Sequence, residues 1–189
     1  MERHGTEPVL VRRPEVPYVA VRERVTTATL PGLGRRFDEV LAWVEAHSLA
    51  AAGPPFFRYR VIDMERELVV EAGVPLFEAV TQTDGDIVPG VLPAGTYAVT
   101  THVGHPEELV QVTADLLASG EAHGWEWDRW STPEGDAWGC RLELMLTDPR
   151  LEPDMGRWET QLAFRVVHDT VRGGVSDTPG AGDAGSGSA

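Results

Sequence analysis

The chain has 189 residues, 42% hydrophobic and 24% charged, a composition that builds a packed globular core and excludes a fibrous or disordered protein. Sixteen Lys and Arg against thirty Asp and Glu leave a formal charge of −14, which repels a phosphate backbone and argues against direct nucleic-acid binding. No apolar run approaches the roughly 20 residues that span a bilayer, and no charged-then-apolar leader opens the chain, so a cytoplasmic protein without a membrane segment is expected.

Pro8 to Val25 alternates apolar residues around Val9, Val11, Tyr18, Ala20 and Val25, with prolines between, and predicts a strand or a bent strand pair. From Leu33 to Leu49 the residues Leu33, Phe37, Val40, Leu41 and Val44 recur at helical spacing between Pro31-Gly32 and Gly53-Pro54-Pro55, which predicts a helix. Phe56 to Ile62 and Leu68 to Leu76 read as a hairpin, and Phe77 to Gly95 as a Thr-, Asp-, Gly- and Pro-rich connection. A second cycle then begins with a strand over Thr96 to Val103. A turn at Gly104 to Glu107 leads to a helix with Leu109, Val112, Leu116 and Leu117 inward, ending near Gly120 to Gly124. Trp138 to Leu146 and Arg157 to Val167 read as strands, and the Gly/Ser/Ala-rich residues 172–189 as a disordered tail with nothing large to bury.

The order strand, helix, strand, strand thus occurs twice, which predicts an α+β fold of two halves, about 8–80 and 90–168, within one domain over 1–171. The lone Cys140 excludes an internal disulfide and a Cys-rich zinc site, and the six His lack helical metal-pair spacing, so no metal is expected. Gly32-Leu33-Gly34 lacks a third glycine and a preceding strand, and no nucleophile elbow or phosphate loop is present, so no cofactor is expected either.

The joints of this duplicated order carry a family resemblance. Gly53-Pro54-Pro55-Phe56, Val70-Glu71-Ala72-Gly73-Val74-Pro75, Leu92-Pro93-Ala94-Gly95-Thr96-Tyr97-Ala98 and His102-Val103-Gly104 are followed by Glu143 to Pro149 and Trp158-Glu159-Thr160-Gln161-Leu162. In order and spacing they resemble the GyrI-like family, met alone or as the effector-binding module of AraC- and MerR-type regulators. The resemblance implies a concave antiparallel sheet with helices on its outer face, holding hydrophobic compounds, often aromatic cations. It also implies an alternative, because some stand-alone members hydrolyse the cyclopropane of DNA-alkylating natural products. Gln161 stands where members commonly carry Glu, which argues against that chemistry, and Met145 stands where they carry Tyr. A short acidic-leaning N-terminus stands in place of the regulators' DNA-binding segment, so the chain is expected not to read DNA itself.

Aligning the halves on their last strands makes Glu71 and Gln161 mates. Alternation puts both on the face opposite the series Leu68, Val70, Ala72, Val74, where they either line a site or merely meet water. Glu143, sharing a face with Arg141 and Met145, is expected either to anchor a delocalised cation or to pair structurally with Arg141 or Arg58. The aromatics cluster: Phe56, Phe57 and Tyr59 on one strand, and Trp125, Trp127, Trp130 and Trp138 in one short segment. Phe57, Tyr59, Tyr97, Trp127, Trp130, Trp138 and Met145 join Glu71, Glu143 and Gln161 as the expected lining of a pocket for bulky hydrophobic aromatic molecules, cations among them. Were the protein an enzyme, Glu71, Glu143 or Tyr97 would serve as acid or base.

Overall fold

In the computed structural model of the chain, residues 5–169 are described; the tail expected over 172–189 lies outside them. Among the described residues the fold is α+β: eleven strands in one antiparallel sheet, with two α-helices. The first half supplies β2 (Val16–Val25), α1 (Arg36–Ala46, entered through a 3-10 turn over Leu30–Arg35), β3 (Phe56–Ile62) and β4 (Leu68–Pro75). The second supplies β6 (Gly95–Val103), α2 (Leu109–His123), β10 (Arg141–Met145) and β11 (Glu159–Asp169). The β3–β4 hairpin and both helices match expectation in place and type.

The sheet order is β5-β2-β4-β3-β10-β11-β6-β1, which reads the same from either end if the halves are exchanged. The halves join at its centre, where β3 pairs with β10 and Phe57 faces Glu143. Phe57 pairs with Ala72, and Glu143 with Leu162. Since Glu71 and Gln161 are mates, so are Ala72 and Leu162, and Phe57 and Glu143 are therefore mates that meet on the pseudo-twofold line. The two outer strands are exchanged. β1 (Val9–Arg13) runs on into β2 yet pairs with β6 of the other half, while β5 (Ile87–Leu92) runs on into β6 yet pairs with β2.

Two differences from the expected elements have local causes. β5 lies inside the segment expected to be a mere connection, because Pro89 and Gly90 hide its alternation; an outer strand tolerates them, having one unpaired side. The single strand expected over Trp138 to Leu146 is instead β9 (Gly135–Trp138) and β10, broken at Gly139. The Gly139 N–H donates to the Asp128 carbonyl at 2.8 Å and its carbonyl accepts from Arg58 Nη2 at 2.8 Å, so the chain turns there instead of continuing the ladder. β9 pairs with β8 (Arg129–Thr132) as a hairpin, and β7 (Trp125–Trp127) adds to β11, three short strands that the tryptophan-rich run conceals.

Both helices lie on one face. Val40 and Val44 of α1 pack on Val19, Val21 and Val74, and Leu109, Val112 and Leu116 of α2 pack on Ala98, Leu162 and Phe164. α2 stops where Gly124 adopts φ +71°, a left-handed cap that suits glycine. The opposite face is covered by the curl of the sheet itself. Arg58 on β3 reaches the Val91 carbonyl on β5, three strands away, and Tyr18 on β2 shares a buried cluster with Tyr97 on β6. No helix among the described residues is long and apolar enough to cross a membrane.

Candidate functional site

Alternation along β3, β4, β10 and β11 divides the expected site residues between the two faces. Glu71, Gln161 and Tyr97 lie on the helix-free face. Glu143, Phe57, Tyr59, Trp127 and Trp138 lie on the helix side, and Met145 shares the alternation of Glu143. Trp130 is 54% exposed on the β8–β9 hairpin and joins neither group.

On the helix-free face Glu71 is fully buried. Its Oε2 accepts from the Tyr18 hydroxyl at 2.6 Å, and its Oε1 accepts from Arg22 Nε at 2.8 Å and Nη2 at 2.6 Å. Arg58, also buried, donates to the Tyr18 hydroxyl at 2.9 Å, to Val91 and to Gly139. Both oxygens of this carboxylate are engaged by the chain's own donors, and Arg22 already balances its charge. Burial, reinforced by the Glu71 carboxylate, pushes the Tyr18 phenol far above its usual range, so it remains a donor. In the second half the matching position is different in kind: Gln161 accepts from Arg13 Nη2 at 2.5 Å and donates to Thr101 Oγ1 at 3.3 Å. Tyr97 donates to the Pro93 carbonyl at 2.6 Å, and burial raises both its phenol and the Cys140 thiol beside it, leaving Cys140 an unreactive packed residue.

The helix side presents a different chemistry at the pseudo-twofold line. Tyr59, Trp138 and Phe164 surround the guanidinium of Arg141, whose central carbon lies 5.3, 5.1 and 4.6 Å from their ring centroids. Trp127 backs this cage at 6.3 Å from Trp138 and 6.0 Å from Phe164, and Phe57 stacks on Phe37 of α1 at 4.8 Å. Glu143 stands beside the cage, 9% exposed, interacting with the Tyr59 hydroxyl and with Arg141. Burial raises its carboxyl above the ordinary range, and Arg141 and Tyr59 only partly offset that. Each ring face is worth about 0.5–2 kcal/mol to a cation, more as water is excluded. Such a cage takes flat aromatic or cationic groups by stacking, with a carboxylate at hand as counter-charge.

Several contributors were not singled out from the sequence. Tyr18 follows Pro14 by four residues as Tyr97 follows Pro93, a spacing that would have marked the two tyrosines as mates. Phe164, fully buried on β11, is another such contributor. The break at Gly139 turns Trp138 to the helix side with Phe164, whereas Cys140 and Leu142 face the other way. Among the described residues no group of three or more His, Cys, Asp or Glu is arranged to hold a metal.

The GyrI-like small molecule binding domain model matches residues 6–134. No curated protein matches the chain. Among solved structures, the C-terminal domain of EcmrR is similar with a TM-score of 0.66 at 18% identity, over 85% of this chain and 96% of that one. EcmrR in its complex with DNA gives 0.67 at 19%, over 85% of this chain and 57% of that one, so the present chain spans little more than half of that protein's length. SAV2435 bound to tetraphenylphosphonium gives 0.56 at 11%, over 85% and 94% of the two chains. A hydrolase from Listeria innocua gives 0.55 at 16%, over 88% and 93%. At these identities the likeness is one of fold.

Proposed function

Since the chain belongs to the GyrI-like small molecule binding domain family, we propose that it binds bulky hydrophobic aromatic molecules, aromatic cations among them, in the cage of Tyr59, Trp138 and Phe164 beside Glu143. The observation that carries the reading is the cage's present content: three ring faces and a buried carboxylate already surround a positive, planar group. SAV2435, similar in fold, was solved with an aromatic cation bound. The charge of −14 favours a small molecule over nucleic acid as the partner of this domain.

Titration with tetraphenylphosphonium, followed by quenching of tryptophan fluorescence, tests this directly. A saturable change is expected, and none up to millimolar ligand would sink the reading. Glu143→Gln keeps the shape and removes the charge; it should weaken tetraphenylphosphonium by about 1–3 kcal/mol, roughly ten- to a hundredfold, while a neutral dye such as Nile red loses little. Should Glu71→Gln carry that loss instead, the ligand lies on the helix-free face with Gln161 and Tyr97.

Hydrolysis of a cyclopropane-bearing alkylator is the second reading. It is favoured by the burial of the Glu143 carboxyl, which raises it above the ordinary range, and by the hydrolase of similar fold. Against it stands Glu71, whose oxygens are all engaged, and Gln161, which is no base. Incubation with such an alkylator and mass spectrometry for the addition of water separates the two readings.

A further inference from the structure

Arg141 is held differently from the other inward-facing arginines. Arg22 is fastened to Glu71, Arg165 to Asp128 at 2.6 Å, and Arg58 to three oxygens. Among the described residues no hydrogen bond or ion pair ties down the Arg141 side chain, and its Nε is buried without a partner. What holds it is the three ring faces and the nearby Glu143 carboxylate. Burial lowers the pKa of Arg141, and Arg129, 5.7 Å over the Trp138 ring, adds a second positive charge that works against it.

A cage of ring faces does not distinguish a guanidinium on the chain from a cation in solution. When the side chain leaves, it gives up no directional bond and frees an orphaned N–H to reach water, and its long stem lets the head group swing outward without moving the strand. We propose that Arg141 is a resident competitor, its guanidinium occupying the position a ligand cation takes, so that a cation enters only as Arg141 swings out and the residue sets the site's preference between cationic and neutral ligands. This rests on the ligand reading given above for the same cage. The consequence is an exchange of one positive charge for another beside Glu143, with the net charge of the cage unchanged.

Two measurements test it. Arg141→Met keeps the length and drops the charge; tetraphenylphosphonium should bind this variant at least about tenfold more tightly than the parent, Arg141→Lys should stay near the parent, and Nile red, which must displace the same side chain but gains nothing from the Glu143 carboxylate, should gain less than the cation. Equal or weaker tetraphenylphosphonium binding by Arg141→Met overturns the proposal while leaving ligand binding itself intact. The second measurement does not depend on the large ligand. Arg141→Ala leaves a guanidinium-sized vacancy, and millimolar methylguanidinium should alter its tryptophan fluorescence saturably while leaving the parent's unchanged. If no form binds tetraphenylphosphonium, the ligand class proposed above fails, and the methylguanidinium response alone decides: a response confined to Arg141→Ala upholds the resident cation, and its absence removes it.

Discussion

At the scale of single residues, Glu143 couples the cage to pH. Burial raises its carboxyl above the ordinary 4.5, so the folded chain holds that proton more tightly than the unfolded one. The stability this proton contributes is fully present below the unfolded value and is lost as pH rises through the raised folded value. Glu143→Gln cannot ionise, so its melting temperature should gain on the parent's across that interval and run parallel above it. Melting curves between pH 4 and 8 check this, and a constant difference would mean that Glu143 is not desolvated. Alternation alone made the shared face of Glu71 and Gln161 legible in the sequence. That Glu143 looks the opposite way was not legible, because its own alternation says which residues it accompanies and not which face of the sheet they turn to the helices. The cage around Arg141 was not legible either, since Tyr59, Trp138 and Phe164 come from three different strands.

Among the elements, helical spacing and strand alternation sufficed for α1, α2, β3, β4, β6 and β11, each long enough for its period to repeat. They failed for β5 and for the β8–β9 hairpin, which are short and carry Pro, Gly or clustered aromatics in place of a period. α2 holds a glycine that the sequence does not explain. A Cβ on Gly120 would stand 2.1 Å from Trp127 Cζ2, so the helix can lie on the indole only because that position is bare. Helix propensity favours Ala over Gly by about 0.8–1 kcal/mol, whereas pushing a buried ring aside costs about 1–3 kcal/mol. Gly120→Ala should therefore lower the melting temperature by several degrees and shift tryptophan emission, because Trp127 touches both Trp138 and Phe164 of the cage. A rise in melting temperature would show that the packing yields.

For the whole molecule, the exchanged outer strands mean that neither half closes alone. β1 covers β6 through five residue pairs from Val9–Val99 to Arg13–Gly95, and Arg13 reaches across to Gln161. Deleting the chain through Arg13 should expose the β6 edge, lower the melting temperature and produce concentration-dependent association visible by light scattering, as bare strand edges do. An equally stable, non-associating variant would show β1 to be an accessory. The duplication itself was legible from the repeated element order; the exchange was not, since pairing between distant strands leaves no local mark. Phe57 and Glu143 meet on the pseudo-twofold line without obeying its symmetry. Two identical subunits related by a true twofold must present the same side chain from both sides of the axis, so that two carboxylates would repel there and two rings would offer no counter-charge. A single chain is free of that constraint, and here one position is a ring and the other an acid. The receptacle on the pseudo-twofold line is therefore lopsided, with a ring on one side and a carboxyl on the other.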